Sequence, residues 1–141
     1  MFLISLVAAL VAAPPPHAPE VPPNEHELVR AMDAHAGPRR AKKHAELHRA
    51  LAAAVLEHGY RQNISPVFLL AVAWAETRWS VRSGDGGRSH GVYQMTRSAA
   101  RSVDFGGVFE DELRVCGGRK AEVWALNEPW AATRIAAVYW V

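Results

Sequence analysis

Ser65-Pro66-Val67-Phe68-Leu69-Leu70-Ala71-Val72-Ala73-Trp74-Ala75-Glu76-Thr77-Arg78-Trp79 is the stretch on which the fold turns. Ser65 suits an N-cap, because its hydroxyl accepts from a backbone N–H that has no partner in the first turn, and Pro66 brings the helical φ already set. Val67 to Ala75 then runs through nine consecutive apolar residues. A helix apolar on every face is expected to be buried. Composition changes abruptly after Glu76-Thr77-Arg78-Trp79, where a polar loop from Ser80 to His90 carries Gly84, Asp85, Gly86 and Gly87.

Upstream, Arg39 to His58 is rich in Ala, Leu, Lys, Arg and Glu, with Leu47, Leu51 and Val55 at helical spacing and Gly59 placed to end the run. One long helix is expected there. Asn24 and Glu27 have capping-box spacing, and Leu28, Val29 and Met32 give a short apolar face before Gly37-Pro38, so residues 24–62 are expected to hold the N-terminal helices. Six of the nine prolines fall within residues 14–23, which predicts an extended linker, since each removes a backbone donor and disfavours helix in the residue before it. Phe2 to Ala13 is apolar apart from Ser5 and ends in Val11-Ala12-Ala13. Residues 1–13 are therefore expected to be a secretory signal peptide, too short to span a bilayer, and the chain to be exported to the periplasm or beyond the cell without a stable membrane span.

Downstream, Thr96 suits the cap of a helix reaching about Val103, Gly106-Gly107 and Gly117-Gly118 mark breaks, and Glu128-Pro129 opens a last helical stretch from Trp130 to Val141. No internal repeat and no run of alternating strands interrupts this pattern. The expected fold class is all-α, or α with a minor β-hairpin in the glycine loop, with residues 63–141 as the functional domain. A length of 141 residues, 50% hydrophobic and 21% charged, fits one compact domain. The formal net charge of +2 is too mild to demand a nucleic-acid partner, and none is expected. Cys116 is the only cysteine, which excludes an intramolecular disulfide and a cysteine-based zinc site.

Glu76 is the residue the pattern singles out for chemistry, because the apolar helix delivers its carboxyl to the edge of a core. Burial and the negative end of the helix dipole work against a charge there, while a neighbouring cation such as Arg78 works for it. A carboxyl that keeps its proton in an apolar pocket has the means to protonate a glycosidic oxygen as the bond to the sugar breaks. A helix-end glutamate that faces water or pairs with Arg78 has no such role. Fifteen positions on, Gly91-Val92-Tyr93-Gln94-Met95 offers a glycine where backbone approaches a ligand closely and a polar Gln to hold an amide or hydroxyl, or else an ordinary turn.

Together, Ile64 to Trp79 and Ser89-His90-Gly91-Val92-Tyr93-Gln94-Met95, with Ala99-Ala100 following, resemble the lytic transglycosylase and goose-type lysozyme group of the lysozyme-like fold. In that group the first segment typically ends Glu-Ser-x-Phe and the second reads Gly-Leu-Met-Gln before an aliphatic residue. The resemblance covers about Asn63 to Ala100, and more loosely Trp130 to Trp140. It implies cleavage of the β-1,4 bond between N-acetylmuramic acid and N-acetylglucosamine in the glycan strands of peptidoglycan, with no cofactor and no metal. Glu76 would be the catalytic acid and base, Thr77 would keep the hydroxyl of the family's serine, and Gly91, Tyr93 and Gln94 would line the substrate groove. The family's Pro after the Gln is replaced by Thr96 and Arg97. Its Ala-Tyr-Asn-Ala-Gly segment has no counterpart before Val141, so the domain reads as shortened at its C-terminus: either the sequence is a fragment, or Tyr93 or Tyr139 covers the missing tyrosine's role, or the chain is a degenerate relative.

Asp85 separates two branches of this chemistry. As a second carboxylate roughly 6.5–9.5 Å from the acid it would activate water in an inverting muramidase, whereas as a turn residue favoured by Gly84 and Gly86 it leaves the single-carboxylate route. A third reading is a wall-binding or assembly module that keeps the groove and has lost turnover. Elsewhere, His44 and His48 share a helical spacing but lack a third metal ligand and are expected to face solvent. Arg39, Arg40, Lys42 and Lys43 form a basic cluster, readable as a solvated helix start or as a contact for nucleic acid or an anionic wall. Trp74 is expected in the core and Trp79 is open between core and sugar stacking. Cys116 is expected to be inert or to pair between chains, and Glu110, Asp111 and Glu112 to face water.

Overall fold

The computed structural model describes residues 22–103 and 118–141. Expectations for the leader 1–13, most of the proline-rich segment, Gly106-Gly107, Glu110, Asp111, Glu112 and Cys116 lie outside the described residues. Those described form seven helices and one small three-stranded antiparallel sheet, so the fold is mainly helical, and the minor hairpin anticipated in the glycine loop is part of a sheet with one strand more.

Helix α1 (Glu25–Ala36) starts on a complete capping box, in which the Glu27 N–H donates to Asn24 Oδ1 at 2.9 Å and the Asn24 N–H to Glu27 Oε2 at 3.0 Å. The single long helix expected from Arg39 to His58 is two, α2 (Pro38–Lys43) and α3 (Ala45–Arg61), broken at His44. The apolar stripe explains the break. No residue of α2 is buried, while α3 buries His48, Leu51, Ala52 and Val55 along one face, so the two segments need different orientations to the core. Gly59 does not end α3. It lies inside the helix, where a Cβ would come within 2.9 Å of the Ile64 carbonyl, and the turn falls instead at Asn63 with φ 53°.

Helix α4 (Pro66–Thr77) begins on Ser65, whose hydroxyl accepts from the Phe68 N–H at 3.4 Å. The expectation that it is buried all round is corrected. Leu69, Leu70 and Ala73 are buried against α3, but Val67 is 48% exposed and Ala75 is open, because none of the described elements covers the outer face. The sheet follows as β1 (Ser83–Gly84), β2 (Ser89–His90) and β3 (Met95–Thr96), with Ser83 opposite His90 and Ser89 opposite Thr96. Thr96 caps α5 (Arg97–Val103) by accepting from the Ala99 N–H at 3.1 Å, and Glu128 caps α7 (Pro129–Tyr139), its carboxylate taking the N–H groups of Trp130 and Ala131. Helix α6 (Gly118–Asn127) lies between them in the chain. The core sits around α3, which packs on α1, α4 and α7 through Leu51, Val55, Leu69, Ala73 and Ile135.

Two further expectations change. His48 does not face solvent: it occupies the apolar stripe of α3, wholly buried, with Nδ1 2.7 Å from Asp33 Oδ1 and its ring edge-on to Trp79 at 5.6 Å. His44 is half-buried, and among the described residues no three His, Cys, Asp or Glu side chains gather as metal ligands. Trp79, not Trp74, is the core tryptophan; its indole N–H donates to the Leu70 carbonyl at 2.7 Å, while Trp74 is half-buried beside it. Among the described residues no helix is long and apolar enough to cross a membrane.

The buried carboxylate of Glu122 on α6 is gripped by Arg97 and Arg101, one turn apart on α5. Burial opposes its ionisation, yet the hydrogen bonds and charges of Arg101 and Arg97 outweigh it and hold the carboxyl below its usual range. A depressed folded value means stability that is present above the unfolded carboxylate value of roughly 4 and lost as pH falls through the folded one. Glu122→Gln is expected to lower unfolding free energy by about 2 kcal/mol at pH 7, and to flatten the decline in stability below about pH 4, as measured by urea denaturation across pH.

Candidate functional site

The last turn of α4 carries Glu76 and Thr77, about 100° apart around the helix axis. Thr77 is buried and turns inward: its Oγ1 lies 3.0 Å from both the Ala73 and Val92 carbonyl oxygens, which share its one proton, and it accepts from the Ser80 N–H at 3.3 Å. Ser80 Oγ returns a bond to the Thr77 carbonyl at 2.7 Å. Glu76 is half-buried, and among the described residues no side chain engages its carboxylate. Arg78, the cation that the alternative reading offered as its partner, is exposed, and its carbonyl accepts from Arg40.

The chain then reverses through two left-handed residues, Arg78 and Trp79, each with φ 53°. For non-glycine residues this conformation costs about 1–2 kcal/mol apiece. Burial of the Trp79 ring and its bond to Leu70 hold the turn in place. The turn brings Arg82 back under the helix end, where its guanidinium donates to the Glu76 carbonyl at 2.6 Å. Its own carbonyl accepts from the Gly91 N–H at 3.0 Å and from Gln94 Nε2 at 2.8 Å. Arg82 therefore ties the end of α4 to the Gly91–Gln94 turn, a link the sequence reading missed. A cation a few residues past a helix end, within reach of its unsatisfied carbonyls, was the available signal.

The turn residues do different work from that expected. Gly91, with φ 76°, is buried against α6, and a Cβ there would stand 1.7 Å from the Leu126 carbonyl oxygen. Tyr93 is buried, its hydroxyl 3.2 Å from Thr133 Oγ1 on α7; burial pushes the phenol far above its ordinary value, against a smaller opposing effect of that hydrogen bond. Gly91 and Tyr93, expected to line a groove, and Thr77 are thus buried supports, with Gly91 closed on Leu126 of α6 and Tyr93 on Thr133 of α7. Gln94 is half-buried, with φ 49°, and spends its amide N–H groups on the Arg82 and Gly91 carbonyls. Its Oε1 fills the space a Cβ on Gly84 would take, 2.2 Å away.

Asp85 is exposed at the β1–β2 turn with φ 48°. Its Oδ2 accepts from Ser89 Oγ at 2.7 Å, and its carbonyl from Arg88 Nε at 3.1 Å, which is how an aspartate closes a hairpin. His90, on β2, is buried with Nδ1 3.3 Å from Ser83 Oγ; burial first, then the charges of Arg119 and Arg97, hold its ring below the ordinary imidazole value. The site is thus a half-buried carboxylate at a helix end, without a side-chain partner among the described residues, with Thr77 and Arg82 bonding that helix end to the turn.

Two substitutions probe the brace. Thr77→Val leaves the buried Val92 carbonyl without its hydroxyl partner and is expected to cost about 1–3 kcal/mol, with Thr77→Ser milder. Gly91→Ala forces a Cβ into the Leu126 backbone at positive φ and is expected to cost about 3 kcal/mol or more. Both are read from urea midpoints at unchanged slope. Compared with protein-family models, with curated proteins and with solved structures, the chain matches none, so a functional reading rests on the arrangement of these residues.

Proposed function

We propose that the chain is a lysozyme-like peptidoglycan-cleaving enzyme that breaks the β-1,4 bond between N-acetylmuramic acid and N-acetylglucosamine as a lytic transglycosylase. The observation that carries this is the Glu76 carboxylate, unpaired and half-buried at the end of α4, joined to the Gly91–Gln94 turn by Thr77, which reaches the Val92 carbonyl, and by Arg82. Among the described residues no side chain occupies this carboxyl, so it is open to a substrate. In this scheme Glu76 protonates the bridging oxygen as the bond to the muramic acid C1 breaks, and the substrate's own acetamide stabilises the cation. The same carboxylate then takes the proton of the C6 hydroxyl as its oxygen closes on C1. The product is a 1,6-anhydro sugar, and no water is consumed.

The single-carboxylate route is favoured over the inverting muramidase because Asp85 is bonded to Ser89 within its own turn. A general base for water would need its oxygens turned to a substrate face. Export to the periplasm or the extracellular space, where the wall polymer lies, belongs to the same proposal.

Digestion of purified peptidoglycan followed by mass spectrometry tests it. Anhydro-muropeptides are the expected products; reducing ends would move the assignment to the hydrolase, and binding without products to a wall-binding module. Glu76→Gln keeps the shape of the side chain and removes the transferable proton, so turnover is expected to fall by at least about 100-fold with stability unchanged. Asp85→Asn is expected to leave the rate within about three-fold of wild type, since general-base loss would cost far more than that.

A further inference from the structure

Beside the helix end, and on the far side of Arg78 from the sheet, the basic cluster singled out in the sequence forms one wall of a cleft of about 720 Å³. Arg39, Arg40, Lys43 and His44 line it from α2 and its C-cap, and Ser80 and Val81 face them from the segment after α4. Among the described residues no acidic side chain lines it. Arg40 spans the two walls, its guanidinium donating to the Arg78 carbonyl at 3.1 Å. That bond uses one of five N–H donors, and among the described residues no carboxylate pairs with Arg39, Arg40 or Lys43. His44 is held below the ordinary imidazole value, by burial first and then by the charges of Lys43, Arg40 and His48. It is therefore a neutral hydrogen-bonding group at pH 7, in a field that attracts anions.

Three cations around a concave surface without a counter-charge repel one another unless an anion enters, and guanidinium forks match carboxylates in a bidentate manner. Pro38 and Val81 give the cleft apolar surface beside the charges. Such a lining suits a short chain with small side chains and more than one carboxylate.

We propose that this cleft is a binding site for a short acidic peptide. The peptide is either free or carried as a side branch on a larger polymer, and its carboxylates are held by Arg39, Arg40 and Lys43 while its backbone lies along Pro38 and Val81. The site is separate from proton transfer at Glu76 and does not depend on glycan cleavage. Ser80 is common to both regions, since it is bonded to Thr77 at the helix end and lines the cleft.

Titration of the full-length protein, followed by amide chemical shifts, tests the assignment, with Ala-Glu-Glu-Ala, Ala-Gln-Gln-Ala and inorganic phosphate as probes. The acidic peptide is expected to shift the amides of Arg39, Arg40, Lys43, Ser80 and Val81, and to bind at least about ten-fold more tightly than the neutral one, with affinity falling as salt is raised. Arg39→Gln with Lys43→Gln, both exposed and outside the core, is expected to weaken it by about ten-fold or more without changing the urea midpoint. Equal binding of the neutral peptide, undiminished binding by the double variant, or phosphate binding as tightly as the peptide would each overturn the proposal. A muropeptide carrying its acidic stem, compared with the peptide-free disaccharide, distinguishes a branch on the glycan from a free peptide. Because free-peptide binding is read without any glycan, failure of the cleft and failure of the cleavage assignment are separate outcomes.

Discussion

A single buried hydroxyl joins the two halves of the candidate site. Thr77 Oγ1 lies between the Ala73 carbonyl of its own helix and the Val92 carbonyl of the turn that follows the sheet, and it accepts from Ser80 on the way between them. The Val92 carbonyl would otherwise be a buried acceptor without a donor, an arrangement that folded chains avoid. Because that bond is made by the residue next to Glu76, the position of the carboxylate relative to the turn is set by the core. Serine is the conservative alternative, since it keeps the donor and gives up only a methyl contact.

Around this joint the backbone is bent into conformations that side chains disfavour. Arg78, Trp79, Asp85 and Gln94 all have positive φ, within seventeen residues of chain. Each is held by a specific contact: Arg78 by the Arg40 guanidinium on its carbonyl, Trp79 by its indole on Leu70, Asp85 by Ser89, Gln94 by its own amide on two carbonyls. Strain concentrated next to an unpaired carboxylate, and sustained by hydrogen bonds to either side of it, is a pattern common at functional sites. Helices α6 and α7 supply the opposing surface, with the Leu126 carbonyl against Gly91 and Thr133 against Tyr93.

The contrast between Glu122 and Glu76 shows how one residue type is put to two uses. Glu122 is almost wholly buried, and two guanidiniums make its charge acceptable inside the protein, which leaves it no capacity to exchange a proton near neutral pH. Glu76 is only half-buried and unpaired. The first carboxylate contributes stability, and the second is the one on which the proposed chemistry rests. A mildly basic composition likewise resolves into distinct roles: Arg97 and Arg101 clamp a buried anion, Arg82 satisfies a helix end, and Arg39 and Lys43 line a cleft with no carboxylate partner among the described residues.

Local chemistry determined much of this from sequence alone. The Asn24–Glu27 capping box, Ser65 with Pro66, Thr96 and Glu128 as caps, and Glu76 at the end of an apolar helix all depend on residues within a few positions of each other, and all form as the local rules require. What needed tertiary structure was everything set by packing across the chain. The burial of His48 beside Asp33, the inward turn of Tyr93 and Gly91, the exposure of Val67 and the placing of Trp79 in the core depend on which helix faces meet. Periodicity assigns a residue to a face, but only the neighbour packed on that face decides whether it meets water, another ring or a carbonyl. Arg82 is the sharpest case: its charge is visible in the loop, yet its partners lie six, nine and twelve residues away, and only the fold brings them to one guanidinium and one carbonyl.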